Sequence, residues 1–275
     1  MMKLKCFRCG KWNGKQCACE DGQTLFCGDG REILPRLKHV EVDLYLTDPP
    51  YNVSYVGKTK DALTIENDQM KDGDFRKFLV DSFSAAHEIM KPGAVFYIWH
   101  AEINNAGYTF RGACNDVGWK VRECLVWIKD VMVMSRQDYH WQHEPCLYGW
   151  KDGAAHQWEN DRKQTTTMFF KRPNKSTEHP TMKPVRMIKY QICNSSKVGQ
   201  IVLDSFVGSG TTLVACRDTG RRGIGIELSE DYCHGIAKRL NRPMKPSLKL
   251  DSYQPKKYIT KGFDLIKKKK IARKK

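Results

Sequence analysis

Residues Ile201-Val202-Leu203-Asp204-Ser205-Phe206-Val207-Gly208-Ser209-Gly210-Thr211-Thr212-Leu213 read as a strand, a glycine turn and the opening of a helix. A strand from Gln200 to Leu203 stops at Asp204, and the helix from Thr211 to Thr219 is ended by Gly220. Glycines at such a junction let backbone approach a ligand at a helix N-terminus. A dinucleotide site wants a third small residue where this chain has Leu213, and there is no G-K-[ST] phosphate loop. The next strand, Gly223 to Ile226, ends at Glu227, whose carboxylate suits the two hydroxyls of a ribose. The stretch therefore asks for a nucleoside without a pyrophosphate, of which S-adenosylmethionine is one. A glycine turn that only packs strand on helix gives the same local pattern.

Working outward, Val42 to Leu46 is a second short strand, closed by Thr47-Asp48-Pro49-Pro50-Tyr51-Asn52. Two prolines stop the strand and place Asp48 just past its C-terminal end. Ligands of open α/β sheets bind beyond the carboxyl ends of the strands, so Asp48 and Gly208 are expected on one rim. A charged acceptor, freed carbonyls and the flat face of Tyr51 suit an exocyclic amino group on a planar base. The plainer alternative is a proline turn with an exposed tyrosine. Residues 52 to 73 read as a mobile loop, and Asp74 as the N-cap of a helix carrying Phe75, Phe78, Leu79, Phe83, Ala86 and Ile89. Lys91-Pro92-Gly93 ends that helix. Ala94 to Trp99, Cys124 to Ile128 and Pro145 to Tyr148 read as strands, Pro184 as a helix start, and Ser229 as a helix cap. Strands alternating with helices predict a mainly parallel α/β sheet with helices on both faces.

The chain has 275 residues, 40% hydrophobic and 28% charged, with a formal net charge of +16. These figures and the short apolar runs exclude a membrane-spanning protein, a collagen-like fibre and a wholly disordered chain. No apolar stretch near the N-terminus resembles a secretory signal, which points to a cytoplasmic protein. Residues 256 to 275 hold ten Lys/Arg and one Asp. A basic body with a basic tail suits a polyanion such as DNA; the tail also reads as a solvated extension. Of eleven cysteines, Cys6, Cys9, Cys17 and Cys19 form C-x2-C-x7-C-x-C, a pattern that suits structural zinc, with Cys27 as an alternative ligand, or stands as free thiols. The chain divides into a Cys-rich segment (1–26), a main domain (27–240) and a basic extension (241–275).

The Asp48-to-Tyr51 turn and the Asp204-to-Thr212 loop resemble the two defining motifs of amino-group DNA methyltransferases. Their order, base motif before cofactor loop, is that of the permuted class called beta. Gly28-Asp29-Gly30, Lys91-Pro92-Gly93, Leu125 to Lys129, His143-Glu144-Pro145 and His179 to Pro184 are similar to further segments of that family. The likeness spans residues 27 to 240 and leaves out the cysteine module and the tail.

The resemblance implies a Rossmann-like, mainly parallel seven-stranded sheet, S-adenosylmethionine as cofactor, and methyl transfer to a base flipped out of double-stranded DNA. Asp48, Pro49, Pro50 and Tyr51 form the catalytic motif. Asp29 is expected near the cofactor adenine and Lys183 and Asp204 near its methionine end. Phe206 packs on the cofactor, Gly208, Gly210, Thr211 and Thr212 form its loop, and Glu227 takes the ribose. A leading Asp favours adenine N6 over cytosine N4. Target reading is expected from residues 130 to 178, with Arg136, Gln137, His140, Arg162, Lys163 and Lys171 as candidate DNA contacts. A homodimer also goes with the resemblance. The competing readings are N4-cytosine methylation, methylation of RNA or protein, and a DNA-binding module that kept the fold without catalysis. Restriction-modification and solitary bacterial or phage methylation both remain open as settings.

Overall fold

The computed structural model describes residues 4–53, 70–134, 137–173 and 182–243. Arg136, most of the 52–73 loop and most of the basic extension lie outside them. Eight strands form one sheet: β1 (Gln23–Cys27), β2 (Val42–Thr47), β3 (Met90–Trp99), β4 (Lys120–Val133), β5 (Trp141–Trp150), β6 (Thr167–Phe169), β7 (Ile201–Asp204) and β8 (Arg222–Glu227). Their order is β1-β8-β7-β2-β3-β5-β4-β6, and only β5 runs antiparallel to its neighbours. The helices are α1 (Gly30–Ile33), α2 (Asp72–Ile89), α3 (Ala106–Asp116), α4 (Val185–Ser195), α5 (Thr211–Asp218) and α6 (Glu230–Leu240).

Alternation along the strands decides which helices cover which face. Tyr45, Phe96 and Ile98 point to the side packed by Phe75, Phe78, Phe83 and Phe110 of α2 and α3. Leu44, Leu46, Val95 and Tyr97 point to the other side, against Met187, Ile188 and Ile192 of α4 and Ala215 of α5. Both faces are thus covered, which explains why every residue of β2 is buried.

Three sequence expectations shift. β1 lies inside the segment read as a separate Cys-rich appendage, so the sheet begins at Gln23. Its partner β8 is about 200 residues away, and five residues beside a cysteine cluster carry no local strand signal. The eighth strand, beyond the seven implied, is β6, which the thirty-residue polar insertion adds beside β4. α2 starts at Asp72, so Asp74 lies in its first turn with Asp72, where acidic side chains complement the helix dipole.

The direction of β5 matters most for the site. Trp99, the last residue of β3, pairs with Cys146, so β4 and β5 run on past the carboxyl rim of the parallel strands as a hairpin. The five residues from Trp141 to Pro145 give it a reach of roughly 16 Å. β5 then carries the chain down to the opposite rim, where Lys151 N bonds to Ala94 O at the start of the buried run of β3.

Candidate active site

Both proline and glycine turns line one cleft at the carboxyl rim, together with Phe78, Trp99, Glu144, Lys183 and Ser229. Asp48 follows directly on β2, and Ser205 to Gly210 follow β7, the strand beside it. Asp204 joins the two: Thr47 Oγ1 donates to its Oδ1 at 2.9 Å, Thr212 Oγ1 to its Oδ2 at 2.6 Å, and Phe206 N to its Oδ1 at 3.1 Å. Burial raises its carboxyl to about 6 against those donors. Asp204 and Thr212 therefore brace the turn while lining the cleft.

The glycines divide the labour. Gly208 (φ +52°) aims its N–H at Glu227 Oε2, 2.9 Å away. Gly210 (φ +78°) is the left-handed N-cap of α5, and a Cβ there would lie 2.8 Å from Ile236 Cγ2. It admits α6 rather than a ligand. Thr211 Oγ1 bonds with Ser209 Oγ and accepts from Arg239, again a support. Glu227 Oε1 accepts from Ser229 N at 3.0 Å. Each of its oxygens thus has one backbone donor and keeps lone-pair capacity for a hydroxyl. Burial lifts its carboxyl to about 7, the donors from Ser229 and Gly208 pulling the other way. Asp29 caps α1 through Arg31 N and is gripped by the Arg31 guanidinium at 2.6 Å, which holds its carboxyl below the usual range. Phe206 packs edge-on against Phe78, 5.7 Å between centroids.

Around Asp48 lies a partly buried charge network. Tyr51 donates to Asp48 Oδ1 at 2.5 Å, and Lys183 Nζ lies 2.5 Å from Asp48 Oδ2. Lys183 also reaches Glu144 Oε2 at 3.1 Å, and Lys129 holds Glu144 Oε1 at 2.5 Å. Burial acts to lower the Lys183 ammonium, but the charges of Asp48 and then Glu144 outweigh it and hold it above its ordinary value. Glu144 stays below the usual carboxylate range: Lys183 and Lys129 overcome its burial. Lys183, expected at the methionine end of a cofactor, lines the cleft shared with Asp204 and Gly208 and there also pairs with Asp48. Glu144, Lys129 and Trp99 are the residues that the sequence reading missed as part of this site. The His143-Glu144-Pro145 segment was the available signal, since a Glu on a strand within an apolar sheet needs a cation.

The candidate DNA contacts split. Gln137 and His140 sit at the hairpin tip, beside Tyr139, which is 90% exposed. Lys171 follows β6 on the same rim. Arg162 and Lys163 lie at the other end of the sheet. Their neighbour Asn160 bonds to Asn194, and Glu159 N to Asn194 O, near the lower end of α4. The antiparallel run of β5 put them there, and they do not share a rim with Asp48.

Cys6, Cys9, Cys17 and Cys19 do gather. Their sulfurs all lie within 4.8 Å of one another, and Cys6 is buried.

The described residues thus define a doubly wound α/β protein in which the Asp48-to-Tyr51 turn and the Gly208 turn with Glu227 open into one cleft. The chain belongs to the DNA methylase family, which matches residues 42–239. It is similar to type II methyltransferase M.HpaI of Haemophilus parainfluenzae (25% identity over 80% of this chain and 74% of that protein). It is also similar to DNA adenine methyltransferase YhdJ of Escherichia coli (26% identity, 80% and 83%). Among solved structures, an M1.HpyAVI–SAM complex superposes with a TM-score of 0.62 at 25% identity, over 80% of this chain and 100% of that one. Among the described residues no helix is long and apolar enough to cross a membrane.

Proposed function

We propose that this chain transfers the methyl group of S-adenosylmethionine to the N6 amino group of adenine in double-stranded DNA. The observation that carries the reading is the meeting of the Asp48-to-Tyr51 turn with Gly208 and Glu227 in one cleft. The residues present suit the cofactor. Glu227 has spare acceptor capacity for a ribose, Phe206 offers a ring wall, and the Gly208 turn brings backbone to the cleft. When bound, the cofactor supplies a sulfonium methyl whose leaving group is a neutral thioether, so no acid is required. Asp48 and the Pro49 carbonyl accept the hydrogens of the target amine and localise its lone pair. They also stabilise the positive charge that grows on nitrogen. Pro50 fixes the turn, and Tyr51 offers a stacking face worth about 1–3 kcal/mol to the flipped base. Lys183, held between Asp48 and Glu144, belongs to this acceptor pocket. Gln137, His140 and Lys171 are the DNA contacts that geometry favours. The four cysteines are proposed to hold one structural zinc, and a homodimer is the quaternary expectation that goes with the family.

Incubating the chain with methyl-labelled S-adenosylmethionine and mixed-sequence duplex DNA, then separating the nucleosides, tests the reading. Label is expected in N6-methyladenine. Label in N4-methylcytosine transfers the proposal to the other base, label accepted only by RNA or protein changes the substrate class, and no label despite cofactor binding leaves a non-catalytic DNA-binding protein.

Glu227 gives the reaction a pH signature. Its carboxyl is raised in the fold, so its contribution to stability is full below about 4.5 and lost as pH rises through about 7. Ribose recognition runs the other way, because the ionised form is the double acceptor. Cofactor affinity is therefore expected to rise about tenfold from pH 6 to pH 8. Glu227→Gln should flatten that profile; an equally steep one in the variant would assign the titration elsewhere.

A further inference from the structure

We propose that zinc in the four-cysteine cluster acts as a clasp on the free edge of the sheet, and that it supports the cofactor acid rather than contact with DNA. This rests on the zinc reading above and adds its role. Zinc–sulfur bonds of about 2.3 Å set sulfur–sulfur edges of about 3.8 Å in a tetrahedron. Cys6 Sγ and Cys19 Sγ are already 3.9 Å apart, so the cluster closes on an ion by small shifts.

β1 pairs with β8 on one side only, and its other edge is the kind of open row that invites foreign strands. Here the cysteine module covers it. Leu25 O accepts from Phe7 N at 2.7 Å. Gln23 O accepts from Arg8 Nη1 at 3.0 Å and from Cys17 Sγ at 3.6 Å. Trp12 packs edge-on against Phe26, 5.1 Å between centroids, and Lys15 O accepts from Arg222 Nη2 of β8 at 2.9 Å. Phe7 and Arg8 lie between the first two cysteines, Trp12 and Lys15 between the second and third. The loops that a metal would pin are those that hold β1. With Gly10 and Gly14 at positive φ and few apolar residues, the segment has little else to fix it.

The link to the cofactor runs along the strand pair. Cys27 registers with Glu227, and Gly28 N bonds to Glu227 O at 2.8 Å. Loosening β1 therefore frees the strand end that aims Glu227. The module itself lies away from the cleft mouth: Arg8 reaches Asn241 at the end of α6, and Lys15 touches the first residue of β8. Zinc with four thiolates also carries a net charge of −2, which does not draw a phosphate backbone.

Elemental analysis of the purified full chain should give about one zinc per chain, and cobalt substitution should show thiolate-to-metal absorption bands. Chelation should weaken S-adenosylmethionine binding about tenfold or more and speed amide exchange over residues 24–27 and 224–227. DNA affinity at fixed salt should change less than about twofold. Trp12→Ala keeps all four cysteines, and should retain the metal yet weaken cofactor binding; it decides the case if the chelated chain unfolds. A metal-free chain with full protection overturns the zinc reading. Bound zinc with cofactor affinity unmoved by Trp12→Ala leaves the zinc and overturns the clasp, as does a loss confined to DNA binding.

Discussion

Asp48→Ala should lower methyl transfer to DNA by about 10²–10³-fold or more, while S-adenosylmethionine affinity stays within about twofold. The asymmetry follows from position. Asp48 meets Tyr51 and Lys183 in the acceptor pocket, whereas the groups facing the cofactor sit on β7, β8 and their turns. Its carboxylate is useful chiefly as charge develops on the amine, so its loss falls on the chemical step. Lys183 keeps Glu144 as a counter-charge in the variant, which favours a folded pocket. Single-turnover transfer and a cofactor titration on the same sample separate the two quantities. An equal loss in both would place Asp48 in the cofactor site and contradict the role given to it.

The second large effect is on stability. Lys183 is 7% exposed and lies between two carboxylates. Lys183→Met keeps the length of the side chain but leaves Asp48 without its cation and Glu144 with Lys129 alone. Breaking a fully buried ion pair from one side costs about 3–5 kcal/mol; with Asp48 27% and Glu144 24% exposed the expected cost is smaller, about 2–3 kcal/mol. The loss should depend on pH with a definite sign. In the wild type Lys183 and Lys129 hold Glu144 below the usual carboxylate range, so this stabilisation is full above about 4.5 and lost as pH falls through the lowered value. The gap between the two proteins should therefore narrow from about pH 7 to about pH 4. Denaturant titration of both proteins at the two pH values measures it. A gap of the same size at both would mean that the lysine acts through packing.

What could be read from the sequence was what is local. The strand that ends in Asp48 and the strand–turn–helix around Gly208 each occupy a dozen consecutive residues, and the carboxyl-rim rule put them together. Glu227 followed from being the next strand end. What escaped depended on strand direction or on partners far along the chain. Arg162 and Lys163 looked like part of one recognition region until β5, running backwards, carried them to the far rim. Lys183 meets Asp48 because α4 begins beside β2, which no spacing between residues 48 and 183 announces. β1 was hidden for the same reason, its hydrogen-bonding partner lying near the other end of the domain. Thr211 and Thr212, read as part of the cofactor loop, line the cleft, and their hydroxyls also brace the turn through Ser209 and Asp204.

The ammonium seated on Asp48 also bears on how the enzyme meets its polymer. A carboxylate lining the cleft without a cation beside it would push back an approaching phosphodiester chain. With Lys183 on Asp48 and Lys129 on Glu144, two ammonium groups offset the two carboxylates, so this part of the cleft carries no net repulsion toward a polyanion.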